Sequence, residues 1–208
     1  MAVVYLVLLV GWLLSVAVVR GVVHQRRTGS VPIRVADRRW EPQWWARRVG
    51  ALALLSAFAA PLADLAGLDR ITALDHEGIA VGGVVLVIAG AAGTVFAQVA
   101  MGDSWRGDVD PDACTDLVVS GPFRWVRNPI AVATAMTVAG LALVLPDAFA
   151  AAAVVLTIVS LQLQVRFVEE RHLERVHGRR YVAYAERTGR FLPGIGRFRQ
   201  GGAGRVRP

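Results

Sequence analysis

The chain contains no lysine, so all 23 of its basic residues are arginine, set against 16 acids for a net charge of +7. It has one cysteine, Cys114, which excludes an internal disulfide and a cysteine-based metal site. His172 and His177 have no cysteine or histidine partner at ligand spacing, and no metal is expected. The glycines at 82, 83, 90 and 93 follow no predicted strand, so there is no dinucleotide fingerprint. They suit close helix packing instead. No basic residue precedes the first apolar run and no small-residue cleavage site follows it, which predicts a retained helix rather than a signal peptide. Charge itself is scarce, at 19% of residues.

What is abundant is apolar surface. At 55% hydrophobic, the chain is too apolar for an ordinary soluble domain and suits a small bundle of membrane helices. Five runs carry that signal: Ala2–Val19, Val49–Leu68, Gly78–Met101, Ile130–Leu145 and Ala148–Val165. The predicted fold class is all-α, an integral membrane bundle of five transmembrane helices with a cytoplasmic carboxyl-terminal helical segment, forming one domain over 1–208. Pro61 and Asp64 lie inside the second run, where neighbouring helices can accommodate the proline and the aspartate lies near the far interface. Trp40, Trp44 and Trp45 read as an interfacial belt, with a ligand-stacking platform as the alternative.

The arginines are unevenly placed. Eight lie in the first loop, one in the second, three in the third and eleven after Val165. The positive-inside rule then puts the amino terminus outside and the carboxyl terminus in the cytoplasm. The same asymmetry reads the high charge as membrane orientation and argues against nucleic-acid binding.

Two polar segments fall on the cytoplasmic side. The first is Thr115–Ile130, TDLVVSGPFRWVRNPI. Gly121-Pro122 is a turn signal, and Pro129 suits the first turn of a helix, where its missing donor costs nothing. Arg127 therefore lies just before a membrane helix. The free backbone donors there and its planar fork suit a small carboxylate. Arg124 and Arg127 equally suit lipid headgroups. The second segment is Arg166–Pro193. Glu169 and Glu170 follow the last apolar run closely, where carboxylates are costly unless paired. They can accept hydrogen bonds from an ammonium or from sugar hydroxyls. Arg166 and Glu170 are four apart and could also be a simple exposed ion pair. Tyr181 and Tyr184, three apart, suit packing of a short helix onto the bundle. An arginine facing glutamates across a shared hollow suits a zwitterionic ligand with hydroxyls, such as an amino-acid nucleoside.

The run Leu117-Val118-x-x-Gly121-x-Phe123-x-x-x-Arg127-Asn128-Pro129 resembles the loop-to-helix motif of the isoprenylcysteine carboxyl methyltransferase family. Glu169-Glu170-x-x-Leu173, His177-Gly178-x-x-Tyr181-x-x-Tyr184 and Arg190-Phe191-Leu192-Pro193 are similar to that family's carboxyl-terminal signature. The wider group includes phospholipid N-methyltransferases and, more distantly, membrane sterol reductases. The resemblance implies a cytoplasm-facing S-adenosylmethionine site, roofed by the loop and the carboxyl-terminal helix. It implies cofactor contacts at Leu117, Val118, Phe123, Asn128, Pro129, Ile130 and Glu169, with Arg127 and Glu170 added from the charge pattern. A lipid-tailed substrate would enter sideways from the bilayer. The family usually has histidine where this chain has Thr115 and Asn128, and tyrosine where it has Phe123 and Ala131. Its substrate-facing arginine falls at Val165, which makes Arg166, one place on, the candidate for that role beside Arg127.

The expected activity is methyl transfer from S-adenosylmethionine to a lipophilic small molecule or lipid. The first segment contains no histidine to act as a base, which favours a carboxylate or another anionic oxygen or sulfur as acceptor. The alternatives are a phospholipid N-methyltransferase, a non-catalytic membrane scaffold that kept the fold, and, more distantly, a nicotinamide-dependent reductase.

Overall fold

The structure is a computed structural model that describes residues 1–28, 40–101 and 117–198. Cys114, Thr115, the middle of the first arginine-rich loop and the tail from 199 lie outside the described residues. Seven α-helices are described: α1 Ala2–Thr28, α2 Pro42–Leu65, α3 Glu77–Met101, α4 Pro129–Val144, α5 Ala148–Leu163, α6 Glu170–His177 and α7 Arg179–Arg187. A 3-10 turn at Gly121–Arg124 precedes α4, and a π-helical stretch, Gln164–Glu169, joins α5 to α6 without a break. Among the described residues there is no strand, only two isolated bridges.

By length and composition, three helices can cross a membrane: α2, α3 and the continuous helix Ala148–His177. The apolar stretches Ala2–Val16 and Pro129–Val144 are shorter. Each of α1 to α5 overlaps a predicted apolar run, but α1 and α2 reach further into the first loop than hydropathy alone indicates. Pro42 at the first turn of α2 explains one of these extensions, since proline is pre-set for that position.

Small residues set the packing. In α3, Gly83 and Gly90 bring the backbone against α4, and a Cβ on Gly90 would lie 2.7 Å from the Ala133 carbonyl oxygen. Gly140 does the same from the other side, 2.7 Å from the Gly83 carbonyl. The interaction of α2 with α5 is the second long seam, fastened by Ser160 Oγ donating to the Ala46 carbonyl at 2.8 Å. Without a hydrophobic driving force between helices in lipid, such close backbone approach and interhelical hydrogen bonds provide the cohesion.

The buried core gathers toward one end of the bundle. Tyr5, Leu9, Ala60, Leu141, Leu145 and Ala150 belong to it. That end is also tied by polar links. Arg70 donates to Asp64 at 2.7 Å and to Asp75 at 3.2 Å, and the Ile71 N–H donates to the Pro146 carbonyl. Asp147 caps α5, accepting from the Ala150 N–H at 2.7 Å. The opposite end, where α3 and α5 finish and α4 begins, carries both polar segments.

Candidate functional site

The loop before α4 is fixed by its own turn chemistry. Pro122 sets the start of the 3-10 turn, Phe123 points inward and is buried, and Trp125 is left exposed beside Arg124. The chain then presents Arg127, whose side chain is only 2% exposed. All five of its N–H groups are used. Nε and Nη2 donate to Glu170 Oε1 at 3.2 and 2.7 Å. Nη1 donates to the carbonyls of Ala185 and Thr188, and Nη2 also to that of Gly196. The Phe198 ring covers it, 5.0 Å from the guanidinium carbon.

Glu170 is buried and serves two arginines. Arg190 donates to Oε1 at 2.9 Å and to Oε2 at 2.8 Å. That contact raises the Arg190 guanidinium above its ordinary value, against the opposing effect of burial. A buried carboxylate between two guanidinia with its oxygens filled meets the condition for keeping charge out of water.

The guanidinium and the acid face each other as the sequence suggests, but the hollow expected between them is not there: they are in direct contact. The fork of Arg127 that the sequence offered to a ligand is spent on protein acceptors. The exposed Arg166–Glu170 pair is corrected as well. The π-helical stretch advances by five residues per hydrogen bond rather than four, so Arg166 and Glu170 no longer stack. Arg166 is exposed and stands apart from the cluster, while Val165 beside it is 1% exposed. The inward position of that turn is therefore held by an apolar side chain.

The residues after α7 form a strap across the start of α4. Gly189 bridges Val126 in parallel fashion, its carbonyl accepting from the Arg127 N–H at 2.8 Å. The Arg190 carbonyl accepts from the Asn128 N–H and from its side-chain amide, both at 3.2 Å. Tyr184 adds a third tie, its hydroxyl donating to the Phe123 carbonyl at 2.5 Å. Burial pushes the Tyr184 phenol up to about 12, opposed by Arg127. Tyr181 is buried, and burial followed by the charge of Glu170 raises its phenol too. Gly178, at φ 51°, makes the sharp turn between α6 and α7 that a side chain would strain.

Around this clamp lie the remaining candidates. Leu117, Val118, Asn128, Pro129 and Ile130 are half-buried, and so is Glu169, whose polar neighbours are Gln164 and Glu170. Asn128 occupies the N-cap of α4 but makes no side-chain cap hydrogen bond, and the first-turn N–H groups of Ile130 and Ala131 have no intrahelical acceptor.

Residues 78–180 match the family model described as phospholipid methyltransferase. Among solved structures, the chain superposes on the eukaryotic intramembrane Ras methyltransferase ICMT (isoprenylcysteine carboxyl methyltransferase) with a TM-score of 0.59 at 19% identity. The chain has the fold of that protein. The match covers 87% of this chain and 62% of that one, so the chain spans less than two thirds of the neighbour's length. No curated protein matches the chain.

The region matched by the family model runs from α3 to the first residues of α7 and takes in Arg127, Glu169 and Glu170. The strap lies beyond it. Reasoning from sequence placed Arg190 in a motif but gave it no role. Its spacing from Glu170, two helices away, carries no periodic signal. Phe198 and the carbonyls of Ala185, Thr188 and Gly196 were missed altogether, since backbone acceptors leave no mark on a sequence.

Proposed function

We propose that this chain is an S-adenosylmethionine-dependent methyltransferase embedded in the membrane, acting on a lipophilic small molecule or lipid at a carboxylate or another anionic oxygen or sulfur. One observation carries the reading. In a membrane methyltransferase fold, the start of α4 and the Glu169–Glu170 pair, from separate parts of the chain, are locked into one cap by Arg127 and Arg190.

The residues present fit an amino-acid nucleoside. The uncapped first turn of α4 suits its carboxylate, since free N–H groups and the helix dipole both favour an anion. Glu169 suits its ammonium or ribose hydroxyls. Leu117, Val118, Phe123 and Ile130 supply apolar walls, and Asn128 and Pro129 shape the rim. The cofactor supplies a methyl group activated on a sulfonium. The protein's part is to align the acceptor with it and keep water away. Arg127 and Glu170 act as positioning residues in this scheme, holding the cap rather than touching the ligand. The arginine asymmetry orients a five-span bundle with its amino terminus outside and this cap in the cytoplasm.

The test is titration of the detergent-purified protein with S-adenosylmethionine by calorimetry. Binding is expected, and Glu169→Gln should weaken it at least about tenfold, a loss of roughly 1.4 kcal/mol. An intact fold that binds no S-adenosylmethionine sinks the proposal.

A second reading, phospholipid N-methylation, is favoured by the description of the matching family over 78–180. Lipid extracts of cells with and without the protein separate the two. Methylated aminophospholipids appearing only with the protein would support N-methylation.

A further inference from the structure

Two adjacent carboxylates, Glu169 and Glu170, sit on the long helix Ala148–His177 in different company. Glu170 is buried and takes four hydrogen bonds from Arg127 and Arg190. Glu169 is half-buried and takes a hydrogen bond from the Gln164 side chain, and the charge that acts on it is the like charge of Glu170. A carboxylate held by a neutral amide beside a second carboxylate keeps its own charge uncompensated. Two groups that needed only to satisfy each other could be replaced by apolar side chains of the same shape at little cost.

The backbone is shaped for this contact. Gln164 and Glu169 are five apart, and in an α-helix they would stand about 140° from each other around the axis. The π-helical stretch runs from one to the other, and the Glu170 N–H donates to the Val165 carbonyl, five residues back. The wider turn brings positions five apart onto one face, so the Gln164 amide meets Glu169 while Glu170 falls in line with buried Val165. Such single π turns recur at functional sites. Glu170 is fixed against Arg127, two places before Pro129, so the turn that carries Glu169 is anchored at the start of α4.

From this we infer that Gln164 is a positioning residue of the proposed cofactor site, whose amide holds the Glu169 carboxylate in place to pair with the ammonium of S-adenosylmethionine. The inference rests on the methyltransferase reading above and narrows it, since that reading leaves the ribose hydroxyls open as the group that meets Glu169. Charge decides between them. Hydroxyls bring none, whereas an ammonium compensates Glu169 and offsets its repulsion by Glu170. A neutral amide suits the holding role, because its N–H groups orient a carboxylate without neutralising it.

The test is calorimetric titration of the full-length protein in detergent with two ligands. One is S-adenosylhomocysteine, which keeps the ammonium and lacks the sulfonium. The other is its 2-oxo analogue, in which a carbonyl replaces the ammonium. Wild type is compared with Gln164→Leu, Gln164→Lys, Glu169→Gln and the double variant Gln164→Leu/Glu169→Gln, and the ligand-free thermal midpoint of each is measured. Gln164→Leu should weaken S-adenosylhomocysteine about tenfold, the scale of one hydrogen bond to a charged group. It should leave the 2-oxo analogue within about twofold of its wild-type affinity. In the Glu169→Gln background the same substitution should add less than about twofold, because it acts through that carboxylate. Gln164→Lys supplies the missing cation from the protein itself. It should keep or raise the midpoint and still weaken S-adenosylhomocysteine at least as much as Gln164→Leu does. Wild-type affinity in Gln164→Leu or in a folded Gln164→Lys overturns the inference. An equal loss for the 2-oxo analogue overturns it too, since the contact would then lie on the ribose. Additive losses in the double variant would show that Gln164 acts independently of Glu169, with the same consequence. Wild-type protein that binds neither S-adenosylmethionine nor S-adenosylhomocysteine overturns the methyltransferase reading itself, a result distinct from any failure confined to the variants.

Discussion

Arg127 and Glu170 lie 43 positions apart in the chain and 2.7 Å apart in space, with side chains 2% and 7% exposed. Breaking such a buried pair from one side leaves an uncompensated charge, which typically costs about 3–5 kcal/mol. Here Arg190 shares the same carboxylate, so Glu170→Gln disturbs two guanidinia at once. Glu170→Gln is expected to lower thermal stability in detergent by at least that amount. The double variant Arg127→Met/Glu170→Leu should be less damaged than the sum of its parts, since Arg127 is then not left as a buried unpaired charge and only the partly exposed Arg190 loses its carboxylate. A double-mutant cycle with additive losses would show that the two residues do not act as a pair.

The tie from Tyr184 to the Phe123 carbonyl predicts a smaller and pH-dependent loss. Tyr184→Phe leaves a largely buried acceptor short of a partner, a penalty of about 1–3 kcal/mol. The folded phenol is raised to about 12, above its ordinary value near 10. The tie's contribution is therefore fully present below pH ~10 and is lost as pH rises through about 12. Denaturation of wild type and Tyr184→Phe across alkaline pH should give curves that differ at neutral pH and converge above the folded value. A constant gap across that range would contradict the role assigned to the hydroxyl.

The helices were legible because lipid imposes a long, strong, one-dimensional signal: each observed long helix overlaps a run read from hydropathy. The meeting of the segment that leads into α4 with Arg166–Pro193 was legible from charge, turn residues and the family resemblance. The manner of pairing was not. Whether Arg127 meets Glu170 directly or through a ligand depends on a few ångströms that no residue pattern encodes. The π-helical stretch is silent as well, because QVRFVE has nothing that marks a wider turn, and it alone displaces Arg166 from Glu170.

Glycines of the third span were read as packing residues, and the structure divides them. Gly90 has no room: a Cβ would stand 2.3 Å from Thr137 Oγ1 and 2.7 Å from a backbone oxygen of α4. Gly82 on the same helix has open space. Gly90→Leu should force α3 and α4 apart and abolish recovery of folded protein, whereas Gly82→Ala should be neutral or stabilise by up to about 1 kcal/mol through helix propensity. Size-exclusion profiles and thermal midpoints of the two variants check this directly. Equal behaviour would mean that the seam is not held by close backbone approach.

The strap gives the last prediction, because Gly189 is where it can be loosened without touching either arginine. Its Cβ, if present, would lie 2.0 Å from the Leu192 carbonyl oxygen and 2.8 Å from that of Ile195. Both are backbone atoms in the tight turn that follows, so neither can step aside. Gly189→Ala must therefore open that turn or pull the strand away from Val126, with loss of the bond from the Arg127 N–H to the Gly189 carbonyl. The transmembrane helices do not depend on this contact, and helical content by circular dichroism should be unchanged. Limited proteolysis should instead show new cleavage in the exposed stretch Leu192–Arg197, and S-adenosylmethionine affinity should fall with it, because the strap fixes Asn128 at the start of α4. If cleavage appears while affinity stays at the wild-type value, the strap fastens the chain but does not shape the site. If neither changes, the turn absorbs a methyl group that its geometry leaves no space for, and the close approach at Gly189 does not hold the strap in place.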